Sequence, residues 1–341
     1  MAGPSLTEEI RDAVAPRTVA LVLGVLLVQL AFIASYVGAF HHPTPHQVHV
    51  GVVAPAGQVR QLTEQLNGIA GSPLAAEPVP DAATARARVR SGDLVSAIVV
   101  APSGTTDTMY VATARGAALT TAVEQVAQQV ATRQQRSIAT TDLVPLQPGD
   151  ARGMSGFYLV IGWLVGGYLV ASLLGVARGA RPANPKRAAI RLGAMIPYAV
   201  VSGIGGALVV DQLLGALTGH FWALAGVGTL LVLSSATVTM ALQVLFGTIG
   251  IGLTVLLFVV LGNPSAGGAY QMELLPALWR GVGQALPNGA GTTALREIVY
   301  FGGQGAGAHI LLIALYAVAG AVVSLVAARA LYRRRVDSVM L

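Results

Sequence analysis

"LGNPSAGGAYQMELLPALWRGVGQALP", residues 261 to 287, is the stretch on which the fold turns. It is apolar enough for a bilayer, yet Pro264, Pro276 and Pro287, with Gly267 and Gly268, interrupt it too often for one straight spanning helix. The chain around it has 341 residues, 54% hydrophobic and 11% charged, with a mean hydropathy of +0.67. That balance belongs to an integral membrane protein. The broken stretch is therefore read as a separator between two spans.

A spanning helix needs about 20 mostly apolar residues. Six runs qualify: 17 to 40, 155 to 177, 193 to 217, 221 to 244, 246 to 262 and 308 to 331. Basic residues orient them. "RGARPANPKRAAIRL" (178–192) carries Arg178, Arg181, Lys186, Arg187 and Arg191, and "RRR" (333–335) follows the last run, so both belong in the cytoplasm. Both termini are then cytoplasmic, while 41–154 and 263–307 lie outside. The single lysine, Lys186, and the alanine richness suggest a GC-rich bacterial genome, and hence a multi-pass protein of the bacterial cytoplasmic membrane. Residues 1–16 precede the first span; within "SLTEEIRDAVAPR" (5–17), Ser5 and Glu8 form a capping box. Leu6, Ile10 and Val14 give that segment an apolar side for the inner membrane surface, with a frayed tail as the plain alternative. The first run is longer than the ~7–15 residues of a signal-peptide core, so it reads as a retained span although "SYVGAF" (35–40) offers small residues for cleavage.

Within 41–154 the pattern becomes that of a soluble domain. "VHVGVVAP" (48–55), "AAEPVP" (75–80), "LVSAIVVAP" (94–102) and "TMYVATA" (108–114) read as strands. Between them, "GQVRQLTEQLNGIAG" (57–71) places Val59, Leu62, Leu66 and Ile69 at helical spacing, and "DAATARARVRSG" (81–92) has Asp81 as N-cap. "ALTTAVEQVAQQVATRQQR" (118–136) is a long helix expected to return to the membrane. The order βαβαββα implies a mixed-sheet α/β domain. His41, His42, His46 and His49 cluster where the first span ends; they are the one candidate metal group, but Pro43, Pro45 and the lack of a nearby carboxylate favour an irregular linker.

Several chemistries are excluded. With no cysteine there is no disulfide, thiolate nucleophile or iron–sulfur site. The phosphate loop G-x-x-x-x-G-K-[ST] is absent, since the one lysine follows Pro185, and no hydrolase elbow, zincin or kinase motif occurs. The chain is therefore read as carrying no enzyme activity and no cofactor. The net charge of +6 lacks a basic stripe with interleaved aromatics, so nucleic acid is not expected as a partner. Within the spans the acidic content is Asp211 alone, near an outer end where it either serves an ion or reaches headgroup water. Gln243, Ser234, Ser235, Thr237 and Thr239, with Gly203, Gly205 and Gly206, suit close helix packing. Gly162, Gly166 and Gly167 present small residues that would also serve a homodimer.

The fold class so defined is a polytopic α-helical membrane protein: six transmembrane helices, an extracytoplasmic α/β domain between the first and second, and a broken segment before the sixth. This arrangement, with "GNPSAGGAYQMELLP" (262–276), "LPNGAGTTALREIVYFGG" (286–303), "VHVGVVAP" and "SGDLVSAIVVAP" (91–102), resembles the ABC-2-type exporter permease superfamily, in particular its phage-infection-protein-like branch. The resemblance implies a re-entrant helical hairpin, Glu273 to Leu286 and Gly291 to Phe301, acting as an outer gate. Pro264, Gly267, Gly268, Glu273, Pro276, Arg280, Pro287, Arg296 and Glu297 would belong to that gate. Leu274, Leu278, Val282 and Leu286 recur on one helical face, and Pro287, Asn288 and Gly289 suit a turn. The resemblance also implies that "ANPKRAAIR" (183–191) faces a separate ATPase subunit through Arg181, Lys186, Arg187 and Arg191; the plain alternative is a basic loop that only sets topology. The expected function is outward movement of a hydrophobic or amphiphilic compound. The alternatives are an ATPase-independent envelope protein whose outer domain binds a ligand, phage or secretion component, and an ion-coupled transporter.

Overall fold

The computed structural model describes residues 16–337, so the expected amphipathic segment at 1–16 lies outside the described residues but for Pro16. Among the described residues, five helices are long and apolar enough to cross a membrane. They are α1 (Pro16–Phe40), α5 (Ser155–Arg178), α6 (Pro185–Ala207), α7 (Phe221–Phe246) and α11 (Ala306–Asp337). A π-helical turn, Leu208–Leu213, extends α6. The expected fifth span is shorter: α8 (Ile249–Val255) runs into a π-helical turn, Leu256–Gly262, giving 14 apolar residues. At 1.5 Å per residue that is about 21 Å, against a hydrocarbon core of about 30 Å. Gly247, at φ +66, breaks the chain before it, and Asn263–Pro264 ends it.

Helix α7 is the axis of the bundle, packed against α5, α6 and α11. Small residues let the backbones close in. Gly206 and Gly228 face the buried Trp163 ring so tightly that a Cβ at either would overlap it, and Trp163 Nε1 donates to Ser202 O at 3.0 Å. Gly166 and Gly167 face Tyr198 and Ser235 within this chain, whereas Gly162 opens on empty space. Ser234, Ser235, Thr237 and Thr239 donate to carbonyls three or four residues back on α7. Helix α1 stands apart, touching the π turn after α8, while Trp279 packs on Gly38 and donates to Ser35 Oγ at 3.2 Å.

The sheet domain follows α1. Its elements are β1 (Val48–Val53), α2 (Ala56–Asn67), β2 (Leu74–Pro78), α3 (Ala82–Arg90), β3 (Ser96–Val99), β4 (Thr106–Val111), α4 (Ala117–Arg133) and β5 (Ser137–Asp142). The sheet order is β2-β1-β3-β4-β5, parallel except for the β3/β4 pair. Crossovers from β1 outward to β2 and back to β3 run in opposite directions, and right-handedness therefore puts α2 and α3 on opposite faces. One core joins Val48, Val50, Leu66, Leu119 and Val123; the other joins Ala85, Val89, Leu94 and Phe301. Helix α4 thus does not return to the membrane as expected. It crosses to β5, an exposed edge strand, and Arg136 grips Asp107 with two bonds of 2.7 and 2.5 Å at that turn.

The hairpin also differs from expectation. Its first helix, α9 (Ala277–Ala285), starts after Pro276, and its second, α10 (Pro287–Tyr300), begins at Pro287 itself. Proline suits the first helical position because its missing N–H has no partner there anyway, so Pro287-Asn288-Gly289 is helix rather than turn. The single apolar face is not realised: Leu274 lies before Pro276 in the sheet-domain core, and Leu278 is exposed. Gly302 and Gly303, both at positive φ, follow the end of α10.

Candidate functional site

Several residues expected in the outer gate lie at the junction of hairpin, sheet domain and bundle. Helix α10 is the buried member: Asn288, Thr292, Leu295 and Glu297 are all enclosed. At its start, Asn288 Nδ2 donates to Phe258 O at 2.9 Å, a carbonyl in the π turn after α8, and to Asn263 Oδ1 at 3.0 Å. A π turn leaves carbonyls without their usual partner, and a side-chain amide supplies one. At its far end Glu297 accepts from Arg115 Nη1 at 2.6 Å, a pair joining α10 to the turn before α4. Burial pushes the Glu297 carboxyl above its ordinary value, with Arg115 pulling it back.

Further contacts lock the same junction. Phe301 enters the α3-side core, with the Arg115 guanidinium 5.4 Å over its ring. Gln271 Oε1 accepts from Leu119 N at 3.1 Å, and Gly116 leaves room for that side chain. His46 N donates to Glu273 O at 2.9 Å. Tyr300 OH donates to Asp150 Oδ2 at 2.5 Å, and the other Asp150 oxygen accepts from Ser155 N at 2.8 Å. Asp150 is 1% exposed, and burial with that bond raises the Tyr300 phenol above its usual range. Sequence reasoning missed Arg115, Asp150, Gln271 and Tyr300, because nothing local marks a pair separated by 182 residues.

The remaining residues of the expected gate are partly or fully buried. Pro264, Gly267 and Gly268 are buried; Gly267 is at φ +72, and a Cβ on Gly268 would overlap the Phe157 ring. Arg296 Nη2 donates to Gly267 O at 3.2 Å, and Arg280 on α9 is half-buried. Arg296 lies close enough to Glu273 and Glu297, and to Arg115 and Asp150, for their charges to act on it, whereas Arg280 stands outside that group.

The opposite end holds the basic loop. Arg181 donates to Val244 O (3.2 Å) and Leu245 O (2.9 Å) at the end of α7. Arg191 donates to Gly179 O (2.9 Å) and Arg178 O (2.8 Å) at the end of α5. These guanidiniums satisfy carbonyls that a helix C-terminus leaves open. Lys186 and Arg187 are exposed beside them, on the first turn of α6 capped by Asn184 Oδ1. Gln243 Nε2 bridges to Ala171 O at 3.2 Å, and buried Asp211 accepts a long bond from Gly219 N at 3.4 Å. Among the described residues no three metal-binding side chains gather. Thus the histidines do not converge, and His41 Nδ1 turns back toward Val37 O at 3.0 Å.

Comparison with family models, curated proteins and solved structures yields no match.

Proposed function

We propose that this chain is the membrane-spanning permease subunit of an exporter of the ABC-2 type, acting as a dimer with a separate ATPase, that moves a hydrophobic or amphiphilic compound outward. In this reading α8 with its π turn is a sixth, short crossing of a thinned bilayer, both termini are cytoplasmic, and the hairpin is the outer gate. One observation carries the reading: α10 is bonded at its start to the carbonyl of Phe258 in the π turn and at its end to the sheet domain through Arg115. A displacement of the bundle at α8 would therefore be passed to the sheet domain without a flexible linker between them. Lys186 and Arg187 supply the free positive charge for a partner at the other end. The test is copurification from native membranes. A nucleotide-binding subunit that is retained by the native chain and lost from Arg187→Glu supports the proposal; its absence from the native complex overturns it. Recovery of a secretion or adhesion component instead would favour an envelope-binding protein.

A further inference from the structure

Two hollows flank the start of α5. The first, of about 490 Å³, is an open groove on the outer side of α5 and α6, lined by Leu159, Trp163, Val209, Leu214 and Tyr158, the last three of them exposed. The second, of about 550 Å³, lies beneath the sheet domain, between α4 and the hairpin, walled by Ala118, Ala122, Tyr270, Leu274 and Met154. Both volumes fall in the ~300–1,000 Å³ range of ligand sites. Met154 and Tyr158 are one helical turn apart, and Tyr158 N donates to Met154 O, so the two hollows open along the same face of α5. The upper one is rimmed by Pro43, just past the end of α1, which places it level with the ends of the membrane helices.

Arg152 is the one charged residue among those lining the upper groove. It is exposed and makes no hydrogen bond or ion pair with other described residues. Its backbone is at φ 64, ψ 9, where glycine sits freely and arginine does not. The turn that holds it there is built on buried Asp150, whose carbonyl accepts from Gly153 N and whose carboxylate is fixed by Ser155 N and Tyr300. The fold thus holds an unpaired guanidinium at the rim of a largely apolar groove, one turn above a second apolar groove in the membrane-spanning region.

We infer that these hollows hold one lipid of the surrounding bilayer with an anionic headgroup, its phosphate on Arg152 and one chain in the groove beside Gly162. The guanidinium fork matches a phosphodiester, and that groove offers the chain walls without charge. The assignment names a ligand class for the permease proposed above and rests on that reading for transport; binding requires no ATPase and is measured without one.

The experiment uses the full chain in phosphatidylcholine nanodiscs doped with a phosphatidylglycerol probe carrying a photoreactive group on one acyl chain, followed by peptide mapping. Labelling should fall on residues 154–163 and exceed that from the matched phosphatidylcholine probe at least tenfold. Arg152→Gly suits the backbone there and should keep or raise Tm while losing that preference; Arg152→Lys should retain part of it. Gly162→Phe, built into open space, should abolish chain labelling with the fold intact. Equal labelling by both probes, or undiminished preference in Arg152→Gly, overturns the inference. Competition by inorganic phosphate at millimolar concentration overturns the assignment to a bilayer lipid. Loss of binding with the ATPase still copurifying refutes this site alone, whereas binding without an ATPase refutes only the transport reading.

Discussion

The two ends of the bundle use arginine differently. At the sheet-domain end Arg115 is part-buried and paired with a buried carboxylate, so the chain there is bonded to itself across 182 positions. At the loop end Arg181 and Arg191 reach only backbone carbonyls, and Lys186 and Arg187 are left to solvent. A buried pair cannot lose one member cheaply, whereas an exposed cation changes binding more than stability. The contrast marks one end as a bonded junction and the other as an exposed basic surface.

Breaking the bonded end should have the largest effect. Arg115→Ala removes the ion-pair partner of the buried Glu297, leaving Arg296 as the nearby positive charge, and should cost about 3 kcal/mol, seen as a fall in Tm. Glu297→Gln removes the more buried charge of the pair and leaves Arg115, 23% exposed, able to reach water, so it should cost less. The pH dependence follows from the sign of the shift. A carboxyl raised above its ordinary 4.5 takes up a proton on folding, so its contribution favours the fold below that value and is lost as pH climbs through the raised one. Without Arg115 the carboxyl rises further, and the loss should move to higher pH; a pH series of melting curves checks this. Next in size, Gly268→Ala drives a methyl into the Phe157 ring and should cost about 1–3 kcal/mol, as overpacking does. At the loop end, Arg181→Ala should cost only about 1 kcal/mol, the worth of its carbonyl bonds. Smallest in stability is Arg187→Glu, within about 0.5 kcal/mol of the native chain, as surface substitutions usually are. A large Tm change there would erase the contrast between the ends.

Much of this plan could be read from the residues. Four of the long apolar runs became helices close to the expected limits, while the third starts at Pro185 rather than 193 and the fifth falls short of a span; Asp81 and Asn184 cap the helices they precede. Strand β5 escaped because "SIATTD" (137–142) is a mostly exposed edge with no apolar alternation. The start of α10 was misplaced because Pro-Asn-Gly reads locally as a turn; tertiary burial of Asn288 against Phe258 decides otherwise. The junction was illegible for another reason: Arg115, Asp150 and Tyr300 are ordinary polar residues until the fold brings them to the hairpin. Arg181 carried a signal that was read only as charge, since a cation near a helix C-terminus commonly bonds its carbonyls.

The central claim is that sheet domain and hairpin form one body. The chain has no cysteine, so Arg60→Cys on exposed α2 and Leu278→Cys on exposed α9 can carry a single pair of spin labels. Pulsed dipolar spectroscopy in nanodiscs should give one narrow distance, broadened when Arg115→Ala and Gln271→Ala are added. A broad or two-peaked distribution with Arg115 and Gln271 intact would contradict the claim.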